Sequence, residues 1–347
     1  MTMVSLKHLG AVFLSPVLTL FNQQMEKNLV QGDRLFFLAR EGYWLEKSYH
    51  AYMNAQGQVA DSRYMLVSRG FLFKIGLLKP SSYPYSLGFN FTGTIYQLLR
   101  TRFILSDVSI NQIFTAKEQK QNVCLPDDMV TVSQLLESKL DKLTPIISQS
   151  ADAYRSYLES LGYFESSVNV VDVGYSGSIQ KLLTILFGKS TKGHYLIASK
   201  PGETAVAGNT VSMHGYLKEG VKLEEGYLPL DRSMFLESLL TAPQGQFQDI
   251  RYSALNNHTF DFYFGRKVAS QHNFHMLEQI CNGALEQMTE YSKKGIEFTV
   301  EEVESILQAY VGKKGMFPRH AWPLFSIDDD ISNTGTVNAI EFFGLSL

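Results

Sequence analysis

The sequence predicts an α/β fold built on a mainly parallel sheet, from three observations. Short β-branched and aromatic runs at residues 34–39, 64–67 and 168–173 are apolar on both faces, as strands covered on both sides must be. Each run passes at once into polar and glycine residues. Two of these transitions open onto helix-like stretches, and alternating strand and helix is the order that gives a parallel sheet with crossover helices.

Along the chain, the apolar run 9–21 is interrupted by Ser15, Pro16 and Thr19 and is shorter than the ~20 residues of a spanning helix, so it predicts a buried helix. Lys7 and His8 make a poor basic start for a signal peptide, so neither secretion nor a membrane span is expected. The first strand leads through Arg40, Glu41 and Gly42 into a helix over 43–53. After the second strand comes a long insertion, about 79–165. Its first part, 79–93, is rich in proline, tyrosine and glycine and is long enough to serve as a lid loop. Its later part is helical, with Val132, Leu135, Leu136, Leu140 and Leu143 on one face and Tyr154, Tyr157, Leu158 and Leu161 on another, both expected in the core. The third strand passes through Gly174–Ser178 into a helix carrying Ile179, Leu182, Leu183 and Leu186, and a fourth strand is expected at 194–198. Beyond about residue 225 the pattern is mainly helical, with Met276, Ile280, Ala284 and Met288 on one face. The division is therefore 1–224 and a helical cap or acceptor lobe, 225–347.

A net charge of -3 gives no global attraction to nucleic acid or anionic lipid, so an anionic ligand must be held by individually placed groups. Cys124 and Cys281 lack metal-ligand spacing and form no disulfide framework, which suits a reducing compartment.

The chemistry gathers at the strand ends. Asp172 is delivered by a buried strand, and Gly174 and Gly177 permit tight turns. The N–H groups opening the next helix, with the hydroxyls of Ser176 and Ser178, form a phosphate cradle that includes Tyr175. A helix cap alone would also explain these serines. Arg40 and Glu41 put a planar cation and an acid at the same rim of the sheet, suited to a diphosphate and to Mg²⁺ or proton transfer. A surface ion pair is the plainer explanation of that pair alone. Ser68 and Arg69 end a third strand with a hydroxyl and a second guanidinium.

Taken together, Leu38–Gly42, Ser68–Arg69 and Asp172–Gly177 resemble the domain that accompanies haloacid-dehalogenase-type phosphatases in bacterial capsule and O-antigen polysaccharide clusters, itself similar to phosphoribosyltransferases. The similarity extends to Glu237 and to the stretch 242–245. It implies a type I phosphoribosyltransferase-like fold, and transfer of 5-phosphoribose from phosphoribosyl diphosphate to a sugar hydroxyl of a surface polysaccharide, with release of pyrophosphate. It further implies Mg²⁺ as cofactor, a glycan acceptor, an associated phosphatase, and a cytoplasmic site of action that can lie at the inner face of the membrane. Arg40–Gly42 would hold the diphosphate and Asp172–Ser178 the 5-phosphate, with Glu237 as a further substrate-binding residue. Catalysis would rest on Asp172, Glu41 and Arg40. The chain departs from the usual pattern in having Val171 where a second acid is common and Ser176 where threonine is usual.

Gly174–Ser178 also nearly matches a hydrolase nucleophile elbow, with Ser178 in place of its last glycine, so a serine hydrolase using Ser176 is the alternative, beside a non-catalytic phosphosugar-binding module. A haloacid dehalogenase-type phosphatase would need an acid where Gly174 stands. The acidic run 328–330 is expected as a solvated turn, and His272 and His275 as a solvated helix face. Trp322, with Pro318, Arg319 and His320, suits either an acceptor groove or ordinary packing.

Overall fold

The computed structural model describes residues 5–30, 32–165, 167–255, 259–328 and 335–346. Its strands are β1 (Arg34–Leu38), β2 (Ser62–Met65), β3 (Phe91–Thr94), β4 (Asn122–Leu125), β5 (Val168–Tyr175), β6 (Thr191–Ala198), β7 (Gly202–Val206), β8 (Asn209–Glu219), β9 (Phe247–Tyr252), β10 (Phe260–Phe264), β11 (Ser326–Asp328) and β12 (Thr336–Asn338). Six of them form one sheet in the order β2-β1-β5-β6-β8-β7. Every neighbouring pair in it is parallel except β7 with β8. The fold is therefore α/β with a mainly parallel sheet.

The alternation of side chains along β1 and β5 sorts the core into two layers. Leu35, Phe37, Val171 and Val173 face the helices Ser15–Lys27, Gly42–Ala55 and Phe274–Lys293. Phe36, Leu38, Val168 and Val170 face the helices Arg69–Gly76, Leu140–Ser160 and Ser178–Phe187. Burying one such side chain contributes about 1.5–3 kcal/mol, and a strand apolar on both faces gains it on each side. The N-terminal helical run is buried as expected and crosses the helix Phe274–Lys293 at two glycines. A Cβ on Gly10 would strike the Ile280 carbonyl, and one on Gly283 would strike the Lys7 carbonyl. Asn22 Nδ2 donates to Met288 Sδ across the same contact at 3.4 Å. Among the described residues no helix is long and apolar enough to cross a membrane.

Two expectations need correction, on the second strand and on residues 79–93, and two elements are added to the reading. The second strand spans Ser62–Met65, earlier than 64–67, because Leu35 to Leu38 of β1 take their partners there; Val67 is buried beyond the strand end and leads into a helix cap. The sheet continues past the fourth strand into the β7–β8 hairpin, whose edge strand β7 is exposed at four of five positions and so shows no apolar run. Residues 79–93 are no free lid. They contain a 3₁₀ turn, Pro80–Ser82, and a short helix, Tyr83–Leu87, both followed by strand β3. The buried Arg102 guanidinium donates to the carbonyls of Ser86, Phe89 and Asn90 at 3.1, 2.9 and 2.9 Å, which pins the segment to the body. The largely helical C-terminal part also contains the β9–β10 hairpin, which packs on the helix Leu140–Ser160.

Candidate functional site

The chain leaves β1 towards β2 on one side and returns through β5 on the other, so the strand order reverses between β1 and β5. Open α/β sheets leave a crevice at such a point, outside the carboxyl ends of the strands. A cleft of about 190 Å³ lies there, bounded by the ends of β1, β2 and β5, by the Glu237 helix and by the start of β9.

At the end of β1 the Ala39–Arg40 peptide is cis, and the Arg40 N–H donates to Glu41 Oε2 at 3.2 Å. Both side chains line the cleft. Gly42 does not. A Cβ there would lie 2.6 Å from the Phe37 carbonyl carbon, so its place in the motif comes from a helix that starts directly against β1. At the end of β2, Ser68 caps the helix Arg69–Gly76. Its hydroxyl accepts from the Phe71 N–H at 3.1 Å and donates to the Phe247 carbonyl at 2.6 Å, which commits it to the protein. Arg69, the first residue of that helix, lines the cleft beside it.

The end of β5 is shaped by its glycines. Gly174 adopts φ 151°, and a Cβ would strike the Ile197 carbonyl oxygen of β6. Gly177, left-handed at φ 67°, caps the helix Ser178–Phe187, and a Cβ would come 2.7 Å from Met213 Sδ. Between them the Gly174–Tyr175 peptide is cis, and the Ser176 and Ser178 hydroxyls bond each other at 3.0 Å. The unpaired first N–H groups of the helix and these two hydroxyls face one wall of the cleft, a donor-rich surface of the kind that takes phosphate oxygens.

Asp172 stands between the two walls and accepts from the Val173 N–H at 2.8 Å. Burial, then the charges of Glu41 and Glu237, push its carboxyl well above the ordinary range; the Val173 N–H and Arg69 oppose this without balancing it. Glu237 enters from the helix Met234–Leu240, which is anchored by buried Phe235, Leu236 and Leu239. The Tyr175 hydroxyl is buried next to Ser233 and Glu237 without full hydrogen-bond geometry to either, and burial with the Glu237 charge pushes the phenol up. All expected site residues except Gly42 therefore meet in one cleft.

Sequence reasoning missed Tyr195, whose hydroxyl donates to Gln180 Oε1 at 2.9 Å, and the pair Gln246–Phe247. Gln246 immediately follows the stretch 242–245, where Gly245 lies against Gly265 and Gln271 Nε2 donates to the Ala242 carbonyl at 3.0 Å and to that of Gln244. The adjoining stretch 242–245 was the available signal for Gln246 and Phe247, and the sequence held none for Tyr195.

Among the described residues no three His, Cys, Asp or Glu side chains converge as a metal centre. Mg²⁺ is commonly held by one or two carboxylates together with substrate phosphates, and the crowding of acids around Asp172 suits that arrangement, with Glu41 beside the arginine rim. Among the described residues no histidine lines the cleft. The contact between Ser62 and His50, at 2.9 Å, lies at the amino end of β2, on the opposite side of the sheet. His272 and His275 are exposed, as expected. Trp322 donates through Nε1 to the Phe317 carbonyl at 3.0 Å and is not part of the cleft wall. Of the acidic run, Asp329 and Asp330 lie outside the described residues. Compared with models of known protein families and with curated proteins, the chain matches none.

Proposed function

We propose that this cleft transfers 5-phosphoribose from phosphoribosyl diphosphate to a hydroxyl of a bacterial surface glycan. The observation that carries it is the opposition of two anion-binding walls across the strand-order reversal: Arg40 and Arg69 on one side, the 174–178 loop on the other, and Asp172 between them. A donor with a diphosphate at one end and a phosphate at the other spans such a site with its sugar against the carboxylate. The fold then belongs to the type I phosphoribosyltransferase-like class, a placement supported by the strand order and by the motifs at the ends of β1 and β5.

In the step itself the acceptor oxygen forms a bond to ribose C1 while the bond from C1 to the diphosphate oxygen breaks with its electron pair. Pyrophosphate leaves, and the acceptor proton passes to Asp172, whose neighbours raise its proton affinity. Charge develops on the leaving oxygen, and Arg40 and Arg69 stabilise it from fixed positions. Glu41, together with the diphosphate oxygens, would hold Mg²⁺, which would supply further neutralisation of that charge. The loop backbone holds the far phosphate and fixes C1 in place. The product retains a 5-phosphate, which a haloacid-dehalogenase-type phosphatase in another chain or domain would remove.

Pyrophosphate release from phosphoribosyl diphosphate with Mg²⁺ and a panel of glycan acceptors is the test. Release that depends on an acceptor is expected, together with a larger rise in melting temperature than nucleotide-sugars give at equal concentration. Stabilisation by UDP- or GDP-sugars alone would refute the donor. Donor binding without turnover would leave a binding module. A serine-directed phosphonate bound at Ser176, with ester hydrolysis and no pyrophosphate release, would establish the hydrolase.

A further inference from the structure

Strand β10 departs from the pattern of a surface strand, whose open positions are ordinarily polar. Four of its five residues are aromatic, and Phe262 and Tyr263 are 37% and 49% exposed. On one face of the hairpin Phe260, Phe262 and Phe264 lie opposite Tyr252, Ile250 and Phe247 of β9. The rings form an unbroken row. Centroids lie 6.2 Å apart from Phe264 to Phe247, 6.5 Å from Phe247 to Phe262, 6.3 Å from Phe262 to Phe260 and 5.7 Å from Phe260 to Tyr252, which is 43% exposed. Tyr157 supports the row from the helix Leu140–Ser160, with its ring 5.5 Å from Phe262 and 6.0 Å from Phe260. The inner end of the row meets the cleft: Phe247 lines it, and the Gly265 N–H, directly after Phe264, donates at 2.7 Å to the carbonyl of Gln246, another wall residue. At the outer end the Tyr252 and Ser156 hydroxyls bond each other at 2.7 Å, which puts a polar edge beside the rings. Arg251 is the single cation of the two strands. It is bound to Asp249 at 3.1 Å, and Asp261 adds an acid.

We propose that this row is the binding strip for the acceptor: a neutral glycan chain of several sugars lies along Tyr252, Phe260 and Phe262 and delivers its end past Gln246 into the cleft. The proposal rests on the acceptor half of the proposed function and adds to it a preference for a chain over a free sugar. A contiguous exposed apolar strip marks a binding surface, and this one runs into the cleft instead of standing apart from it. Its charge decides the class of ligand. With its cation already paired and an acid exposed, the hairpin offers nothing to nucleic acid or to an anionic polymer. A sugar ring has an apolar C–H face that lies flat on an aromatic ring and a rim of hydroxyls that needs hydrogen-bond partners, and the strip supplies the rings together with the Tyr252 and Ser156 hydroxyls.

The test is calorimetric titration of the intact chain with glucose, galactose, mannose and rhamnose, each as a free sugar and as oligosaccharides of increasing length. Wild type is compared with Phe262→Ser, Phe262→Tyr and Tyr263→Ser, and a cooperative thermal melt checks that each variant is folded. In at least one series wild-type affinity should rise by about tenfold or more from the free sugar to the hexasaccharide, the gain from stacking on more than one ring. Phe262→Ser should lose most of that rise and Phe262→Tyr should keep it. Tyr263→Ser removes an exposed ring from the opposite face of the hairpin, and its affinities should stay within about twofold of wild type. Affinity that grows with chain length in none of the series overturns the proposal. So does an unchanged rise in Phe262→Ser, an equal loss in Tyr263→Ser, or a wild-type dimer that Phe262→Ser dissociates, which would make the strip a contact between two copies of the chain. If ring-dependent glycan binding appears and phosphoribosyl diphosphate releases no pyrophosphate with any acceptor, the donor reading fails and the strip stands. If release depends on an acceptor but longer chains gain nothing, the donor reading stands and the strip fails.

Discussion

At the scale of single residues, the cleft separates groups whose chemistry faces the ligand from groups that only build the wall. Arg40 lines the cleft, and the proposed function puts it in the first kind. Arg40→Lys keeps the charge and loses the planar fork, so donor affinity should fall by about tenfold while the melting temperature holds, as binding titration and thermal melts would show; equal affinity in Arg40→Ala would remove Arg40 from the site. Asp172 carries a signature of its own. Folded Asp172 keeps its proton to higher pH than the unfolded side chain, whose ordinary value is 3.8, so the folded state binds more protons and loses stability as pH rises from there towards the folded value. Asp172→Asn cannot pay that penalty. Its stability relative to wild type should therefore grow as pH rises above 3.8 in denaturant titrations, while turnover collapses; parallel pH profiles would show that Asp172 is not crowded by Glu41 and Glu237. The charged and glycine residues of this site were legible in the sequence because they interrupt apolar strands. Gly42 was misassigned because close packing and ligand approach both favour glycine, and only the distance to Phe37 separates them. Ser68 was counted as a free hydroxyl because its acceptor, the Phe247 carbonyl, lies 179 positions away in sequence.

At the scale of elements, strands covered on both faces were readable as apolar runs, which is why β1, β5 and β6 were found. β7 and the β9–β10 hairpin were not: a strand with an open face spreads its apolar residues, and the partners of β9 lie in the distant helix Leu140–Ser160. The segment 79–93 was read from its prolines, tyrosines and glycines as a loop long enough to serve as a lid, although one arginine outside it pins it to the body. Arg102→Met should leave the Ser86, Phe89 and Asn90 carbonyls without their donor and destabilise the protein by about 3 kcal/mol, read as a lowered denaturation midpoint, with the Michaelis constant for the proposed reaction unchanged. A large change in that constant with little loss of stability would restore the lid.

At the scale of the whole molecule, the sheet sets where the cleft lies, while the packing of the layer beside it joins the two ends of the sequence. The Asn22–Met288 contact spans 266 residues, and Gly10 and Gly283 fit their helices together at the same crossing. During synthesis, at about 5–20 residues per second, the first helix therefore waits roughly 13–55 s for the surface that covers it. Until then Leu9, Phe13, Leu14 and Leu18 lack part of their native cover. Nascent chains arrested before residue 277 should be cut in the N-terminal helix by a protease that spares the full-length protein, and equal resistance would mean that the helix finds cover earlier. A growing chain with this topology carries an apolar helix only partly covered for most of its own translation, so it gains from whatever shields hydrophobic surface near the ribosome.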